Sequence, residues 1–317
     1  MNKIVAALTL AAASLGAGAQ DFPSKTVTFV VPFASGTATD TFARALGQAI
    51  SEATKQSVLV DNKPGASGMI AAQFVAKATA DGYTVLFTTN TTHAANEHLS
   101  RKLSYDPVKD FAPVALLGKG GQVLVVRNDI PAKSVGEFVA LAKKSPGKIN
   151  FASGSSSSRI AVELFQQMAG VELLHVPYKS NTLGITDMLG GTIDMMITDT
   201  TTGLPQVQAG KLRALGYSDS KRSRLAPDVP TIAEAGVPGY EMTYWFAAYA
   251  PAGTPAPVVR RLNELLVAAT RSGTAKAFFD KTGVDPATTT PEGLAAFQAI
   301  ETRKWGEIVK KANIQPE

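Results

Sequence analysis

VVPFASGTATD, residues 30–40, is an apolar strand that runs directly into tiny and hydroxylated residues, with Asp40 its only charged side chain. Phe42, Leu46 and Ile50 follow at helical spacing, so the stretch reads as strand, loop, amphipathic helix. In open α/β sheets, ligands bind beyond the carboxyl ends of strands. A helix start presents unpaired N–H groups and partial positive charge, which suits an anion. Phe33 ends the strand, Gly36 and Ala38 let backbone N–H groups approach a ligand, and Ser35, Thr37 and Thr39 add hydroxyls. Asp40 reads as a cap or first-turn acid. An ordinary capped turn would look the same.

A second stretch, FASGSSSSRI (151–160), repeats the device: strand, glycine, hydroxyls, then a helix with Ile160, Leu164 and Phe165 on its apolar side. Two such helix starts suggest two domains facing one cleft. A third hydroxyl-rich loop, TTNTTHAAN (88–96), also follows a strand and supplies Thr89, Asn90 and Thr92. Its His93 reads as a hydrogen-bonded structural residue.

Strand and helix alternate along most of the chain, at 26–33, 57–61, 83–89, 148–153, 172–178 and 192–199 for the strands. That alternation argues an α/β fold with largely parallel sheets. Ser134 and Glu137 form a capping-box signature for a helix reaching about Lys144. Beyond Asp228 come a long apolar strand, EMTYWFAAYAP (241–251), and helices near 256–271 and 273–282. A last helix has Thr290 as cap and Pro291 at its first position. Leu294, Phe297, Trp305, Ile308 and Val309 share one face of it, a docking stripe. No flexible linker is visible, so strands must carry the domain crossings.

Residues 1–19 read as a secretory leader: Lys3, the apolar run IVAALTLAAA (4–13), then AGA before Gln20. Cleavage there leaves about 298 residues, enough for about two domains. The apolar run is too short to span a bilayer, and no later stretch approaches a span. With no cysteine, disulfide and thiolate chemistry are excluded, which suits a bacterial periplasm. Thirty-one Lys and Arg against 26 Asp and Glu leave a mild, scattered positive balance, a solvated surface and not a nucleic-acid stripe. Enzyme readings fare poorly. No serine sits in G-x-S-x-G, GTATD lacks the G-K-[ST] of a phosphate loop, and the histidines are His93, His98 and His175. His93 and His98, five apart, would diverge on a helix and make no zinc pair.

These residues resemble the extracytoplasmic solute receptors of the tripartite tricarboxylate transporters, the Bug family. VVPFASGTATD, VLVDNKPGASG, KATADGYTVLFTTNTTH, LSYDPVKDFAPV, SPGKINFASG, LLHVPYKS, DMLGGTIDMM, LAPDVPTIAEAGVPGYE and YWFAAYAPAGTPAPVVRRLN carry the resemblance over essentially the whole mature chain. It implies a type II periplasmic binding protein, a two-domain Venus flytrap with mixed sheets and a ligand cleft between domains. Domain 1 would comprise 20–122 and 225–317, and domain 2 would comprise 123–224. It implies a carboxylate held by two loops, Phe33–Asp40 and Ser153–Ser158, with Ser155, Ser156 and Ser157 among the donors. Tyr178 and Asp199 join the candidate ligand-binding set, as does Trp245, although a strand this apolar is more often core. No metal or cofactor is expected, and the partners would be the ligand and membrane transporter subunits, with the receptor itself a monomer.

The chain departs from the family where ligand choice is made. The first loop is ASGTAT, poorer in Gly and Pro than is common, and Arg159 stands where a histidine is common. Arg159 opens a helix, where a cation opposes the macrodipole. Either it is a solvated or acid-paired surface residue, or its planar fork clamps a second carboxylate. The second reading favours an aromatic dicarboxylate, ahead of aliphatic di- or tricarboxylates. A sensor receptor serving a membrane kinase would need the same clamshell.

Overall fold

The computed structural model describes residues 22–311 and 313–316. The leader assigned to residues 1–19 and its cleavage point lie outside the described residues.

The chain opens with β1 (Val27–Val31), whose VTFVV sequence is almost wholly buried. Left-handed Gly36 (φ +83°) turns the chain into α1 (Ala38–Thr54), which Thr37 caps by accepting from the Asp40 N–H. Phe42, Leu46 and Ile50 form its buried face. β2 (Val58–Asn62), α2 (Met69–Ala76) and β3 (Thr84–Thr89) follow, with β1 parallel to both of its neighbours. After β3 a π-type turn, Thr91–Ala95, leads into α3 (Asn96–Leu99).

β4 (Phe111–Arg127) is a 17-residue strand that joins the two halves of the molecule. Its first part, to Gly121, pairs with β9 (Thr243–Pro251), and from Gln122 it pairs with β7 (Met195–Asp199). Gln122 therefore stands where β4 leaves one half-sheet and enters the other. The second half is built from α4 (Val135–Lys144), β5 (Asn150–Ser153), α5 (Ser156–Ala169), β6 (Leu174–Pro177) and α6 (Asn181–Leu189). β7, α7 (Thr200–Gln208) and β8 (Leu212–Tyr217) complete it. The chain then returns through β9, α8 (Ala256–Ala269), α9 (Gly273–Thr282), the two-residue β10 (Asp285–Pro286) and α10 (Pro291–Lys311).

The strand order is β2-β1-β3-β9-β4-β7-β5-β6, with β8 and β10 both pairing β4. The alternation alone pointed to largely parallel sheets; the sheet is mixed, as the resemblance implied. β9 lies antiparallel between β3 and β4, and β4 is antiparallel to β7 and β8. A returning C-terminal segment has to enter the first half-sheet as an inserted strand, and β9 does so. The Ser134 cap forms as expected, but the Glu137 carboxylate reaches back to the Lys133 N–H, one residue beyond the cap. α10 docks as its stripe suggests: Leu294, Trp305, Ile308 and Val309 are buried, and Phe297 packs at the edge. One core spans both halves, from Val30 through Phe138 and Phe165 to Trp305. Phe29, Phe42, Phe87, Phe246 and Phe278 fill a second core on the other face of the first half.

Candidate functional site

Four helices begin at one cavity. Their caps, Thr37 of α1, Ser155 of α5, Ser180 of α6 and Asp199 of α7, all line a space of about 80 Å³ between the two halves. That is room for several water molecules or a small organic acid. Each helix start leaves N–H groups without intrahelical partners and carries partial positive charge. In α1, Thr37 takes the Asp40 N–H, which leaves those of Ala38 and Thr39 for another acceptor. In α5, Ser155 and Ser158 cap each other reciprocally, which leaves the N–H groups of Ser156 and Ser157.

The starts of α5 and α6 are locked together. An added Cβ at Gly154 would lie 1.9 Å from the Ser180 carbonyl carbon, so only glycine fits. Asn181 Oδ1 accepts from the Gly154 N–H and from Ser158 Oγ, both at 2.9 Å, and its Nδ2 donates to Asp199 at 3.1 Å. Asp199 also accepts from the Thr202 N–H (2.9 Å), Thr202 Oγ1 (2.7 Å) and the Thr201 hydroxyl. Its carboxylate is thus occupied by the protein's own donors.

The sequence-derived residues divide into groups. Phe33, Thr37, Ala38, Thr39, Thr89, Asn90, Ser155, Ser157 and Asp199 line this cavity. Ser153, Ser156, Arg159 and Tyr178 line an adjoining space of about 670 Å³, and Phe33, Gly154, Ser155 and Lys179 border both. Ser35 and Gly36 are exposed at the rim. Asp40 is buried and holds the loop: it accepts from the Gly36 N–H at 2.9 Å, from Asn62 at 2.9 Å and from both edges of Arg44. Burial alone would raise its pKa, but the bonds from Arg44, Gly36 and Asn62 hold it below the usual range. Ser158 points inward to Asn181, and Thr92 bonds Thr88 and His93. Trp245 lies in the core, its indole N–H donating to Glu301.

Arg159 lies 3.8 Å from Glu163, one turn along α5. Burial pushes the Glu163 carboxyl up, against the pull of Arg159 and Gln166. Tyr178 donates to Asp187 at 2.6 Å, a bond that raises the phenol to about 12. The sequence reading missed Lys179, Ser180, Asn181, Thr182 and Thr202 in the wall, and with them Thr91 and Gln122; Tyr244 and Phe246 stand in it as the apolar wall expected of the 241–251 strand. The S-x-x pattern after VPYK would have identified the α6 start. Among the described residues, this wall holds one basic side chain, Lys179, and one acidic side chain, Asp199.

Two α/β halves joined by strands, with an anion-favouring cavity between them, define an extracytoplasmic solute-binding fold. The chain belongs to a family of transport receptors: the one described as tripartite tricarboxylate transporter family receptor matches residues 42–314. A UPF0065 protein from the tcbD-tcbE intergenic region of Pseudomonas sp. (strain P51) is 36% identical, covering 97% of this chain and 93% of that protein. R. palustris Rpa4515, solved with adipate, superposes with a TM-score of 0.90 at 36% identity, over 93% of this chain and all of that one. The periplasmic binding protein BugD gives a TM-score of 0.87 at 31% identity, over 93% and 100%. Among the described residues, no helix is long and apolar enough to cross a membrane.

Proposed function

We propose that this protein is exported to the periplasm, where it captures a small carboxylate in the interdomain cavity and delivers it to a membrane transporter. The observation that carries the reading is the convergence of four helix N-termini, from both halves, on a space whose one carboxylate is already occupied. One carboxylate group would accept from the N–H groups of Ala38 and Thr39 on one side and of Ser156 and Ser157 on the other. Charge-assisted hydrogen bonds of this kind contribute about 1.5–3 kcal/mol each. In this reading the domains are 20–122 with 225–317, and 123–224, in keeping with the change of strand partners at Gln122.

The finer reading is an aromatic dicarboxylate. Phe33, Tyr244 and Phe246 supply apolar wall, and Arg159 and Lys179 stand in the adjoining space beyond the shared Gly154–Ser155 rim. A planar guanidinium can grip a carboxylate bidentately, and Arg159 borders that adjoining space. Adipate in R. palustris Rpa4515 makes an aliphatic dicarboxylate the second reading. Binding without turnover is favoured over catalysis, because the buried His93 is held as a neutral core residue.

Calorimetry with terephthalate, benzoate and adipate, on wild type and Arg159→Ala, tests both levels. Wild type should prefer terephthalate to benzoate by about tenfold, and the variant should lose most of that preference while it still binds benzoate. An undiminished preference removes Arg159 from the site, and recovery of altered ligand would point to an enzyme.

A further inference from the structure

We infer that Asn90, Thr91, Gln122 and Tyr244 form a recognition site for a hydroxyl group on the bound carboxylate. The inference rests on the proposed carboxylate at the helix N-termini and adds a second determinant of ligand choice.

All four residues line the cavity, and all are at least nine-tenths buried, from 0% exposed for Asn90 to 5% for Tyr244. Asn90 Oδ1, Thr91 Oγ1, Gln122 Oε1 and the Tyr244 hydroxyl are buried without a protein hydrogen-bond partner among the described residues. Thr200 lies beside the Tyr244 hydroxyl; it gives its own proton to the Thr282 carbonyl and can accept one from Tyr244, which leaves the phenol oxygen as an acceptor. Buried polar atoms in folded proteins are nearly always paired. Four among the residues lining one cavity mark groups that its contents can complete.

The chemistry of the four atoms selects the group. Asn90, which lines the cavity, donates its Nδ2 to Ser157 Oγ at 2.7 Å, which leaves its carbonyl as the unpartnered end. If the amide turns over, the carbonyl accepts from Ser157 and the NH₂ becomes the unpartnered end instead. A hydroxyl both donates and accepts, so it matches either orientation. A carboxylate only accepts and meets two amide oxygens here. An ammonium only donates, and the nearby Asp199 carboxylate is taken by Asn181, Thr201 and Thr202. The helix N-termini and Lys179 also oppose a cation.

Calorimetry on matched pairs tests the site: 4-hydroxybenzoate against benzoate, 5-hydroxyisophthalate against isophthalate, and malate against succinate. Wild type should bind the hydroxylated member about tenfold or more tighter in at least one pair, since a site built to bond a hydroxyl rejects the analogue lacking it. Gln122→Met and Tyr244→Phe should each erase most of that ratio, read within each variant as hydroxylated against hydroxyl-free acid. Tyr244→Phe removes one oxygen and keeps the ring, so it gives the readout even if Gln122→Met is unstable. Binding of both members with equal affinity overturns the hydroxyl site and leaves the carboxylate reading standing. A preference that survives in both variants also overturns it. If no acid binds, both readings fall.

Discussion

His93 is fully buried, stacked 3.8 Å from Tyr249, with Nδ1 bonded to Thr92 Oγ1 at 2.8 Å. Burial lowers its pKa from 6.5 to about 3. As pH falls below 6.5 the unfolded chain takes up this proton first, so stability is full above that value and is lost toward pH 3. At about 1.4 kcal/mol per pH unit, the loss between pH 6.5 and 5 is about 2 kcal/mol. Urea unfolding at the two pH values should show it, and His93→Gln should flatten the slope. Equal slopes would mean that another group carries the acid sensitivity. At the same scale, the misplacement of Trp245 has a simple cause. Successive strand residues face opposite sides, so Tyr244 and Phe246 reach the cavity while Trp245 faces α10. The run TYWFAA carries bulky aromatic side chains on both parities, so it does not tell which parity faces the ligand.

At the level of elements, two of the four converging helix starts were legible, because each shows glycine and hydroxyls between an apolar strand and an amphipathic run. The other two were less legible: a short helix ending at Leu189 is expected after VPY and forms, but its start within YKSNTLG was not assigned to the site, and α7 is a threonine-rich helix with Pro205 inside it, a poor helix sequence by propensity. Tertiary packing holds both: Gly154 presses on the Ser180–Asn181 peptide, and Asp199 is bonded from both sides. Gly154→Ala should therefore push the starts of α5 and α6 apart. The expected outcome is a ligand affinity about tenfold weaker or worse, and a lower melting temperature. Unchanged binding in a folded variant would show that this junction does not set the site. β4 was missed because Pro113, Gly118, Gly120 and Gly121 break its pattern, yet Pro113 and Gly118 lie beside its register shifts against β9.

Across the whole molecule, the two halves meet through β4, the return into β9, a shared apolar core and polar contacts, two of them at the cleft. Asn90 bonds Ser157 at 2.7 Å, and Ser156 bonds Asn96 at 3.3 Å. A ligand gripped by α1 on one side and by α5, α6 and α7 on the other binds the closed arrangement better than any open one, so it must shift the population toward closure. Small-angle X-ray scattering should show a smaller radius of gyration at saturation, and an identical curve with binding confirmed would remove the pincer. In the proposed function a carboxylate group, and not merely the body of the ligand, is what the converging helix starts hold. The direct measurement is a calorimetric titration of the tightest-binding monoacid, benzoate or 4-hydroxybenzoate, against its methyl ester. Loss of the anion should weaken binding about a hundredfold, the worth of one or two charge-assisted hydrogen bonds. An ester that binds as tightly as its acid would contradict the account.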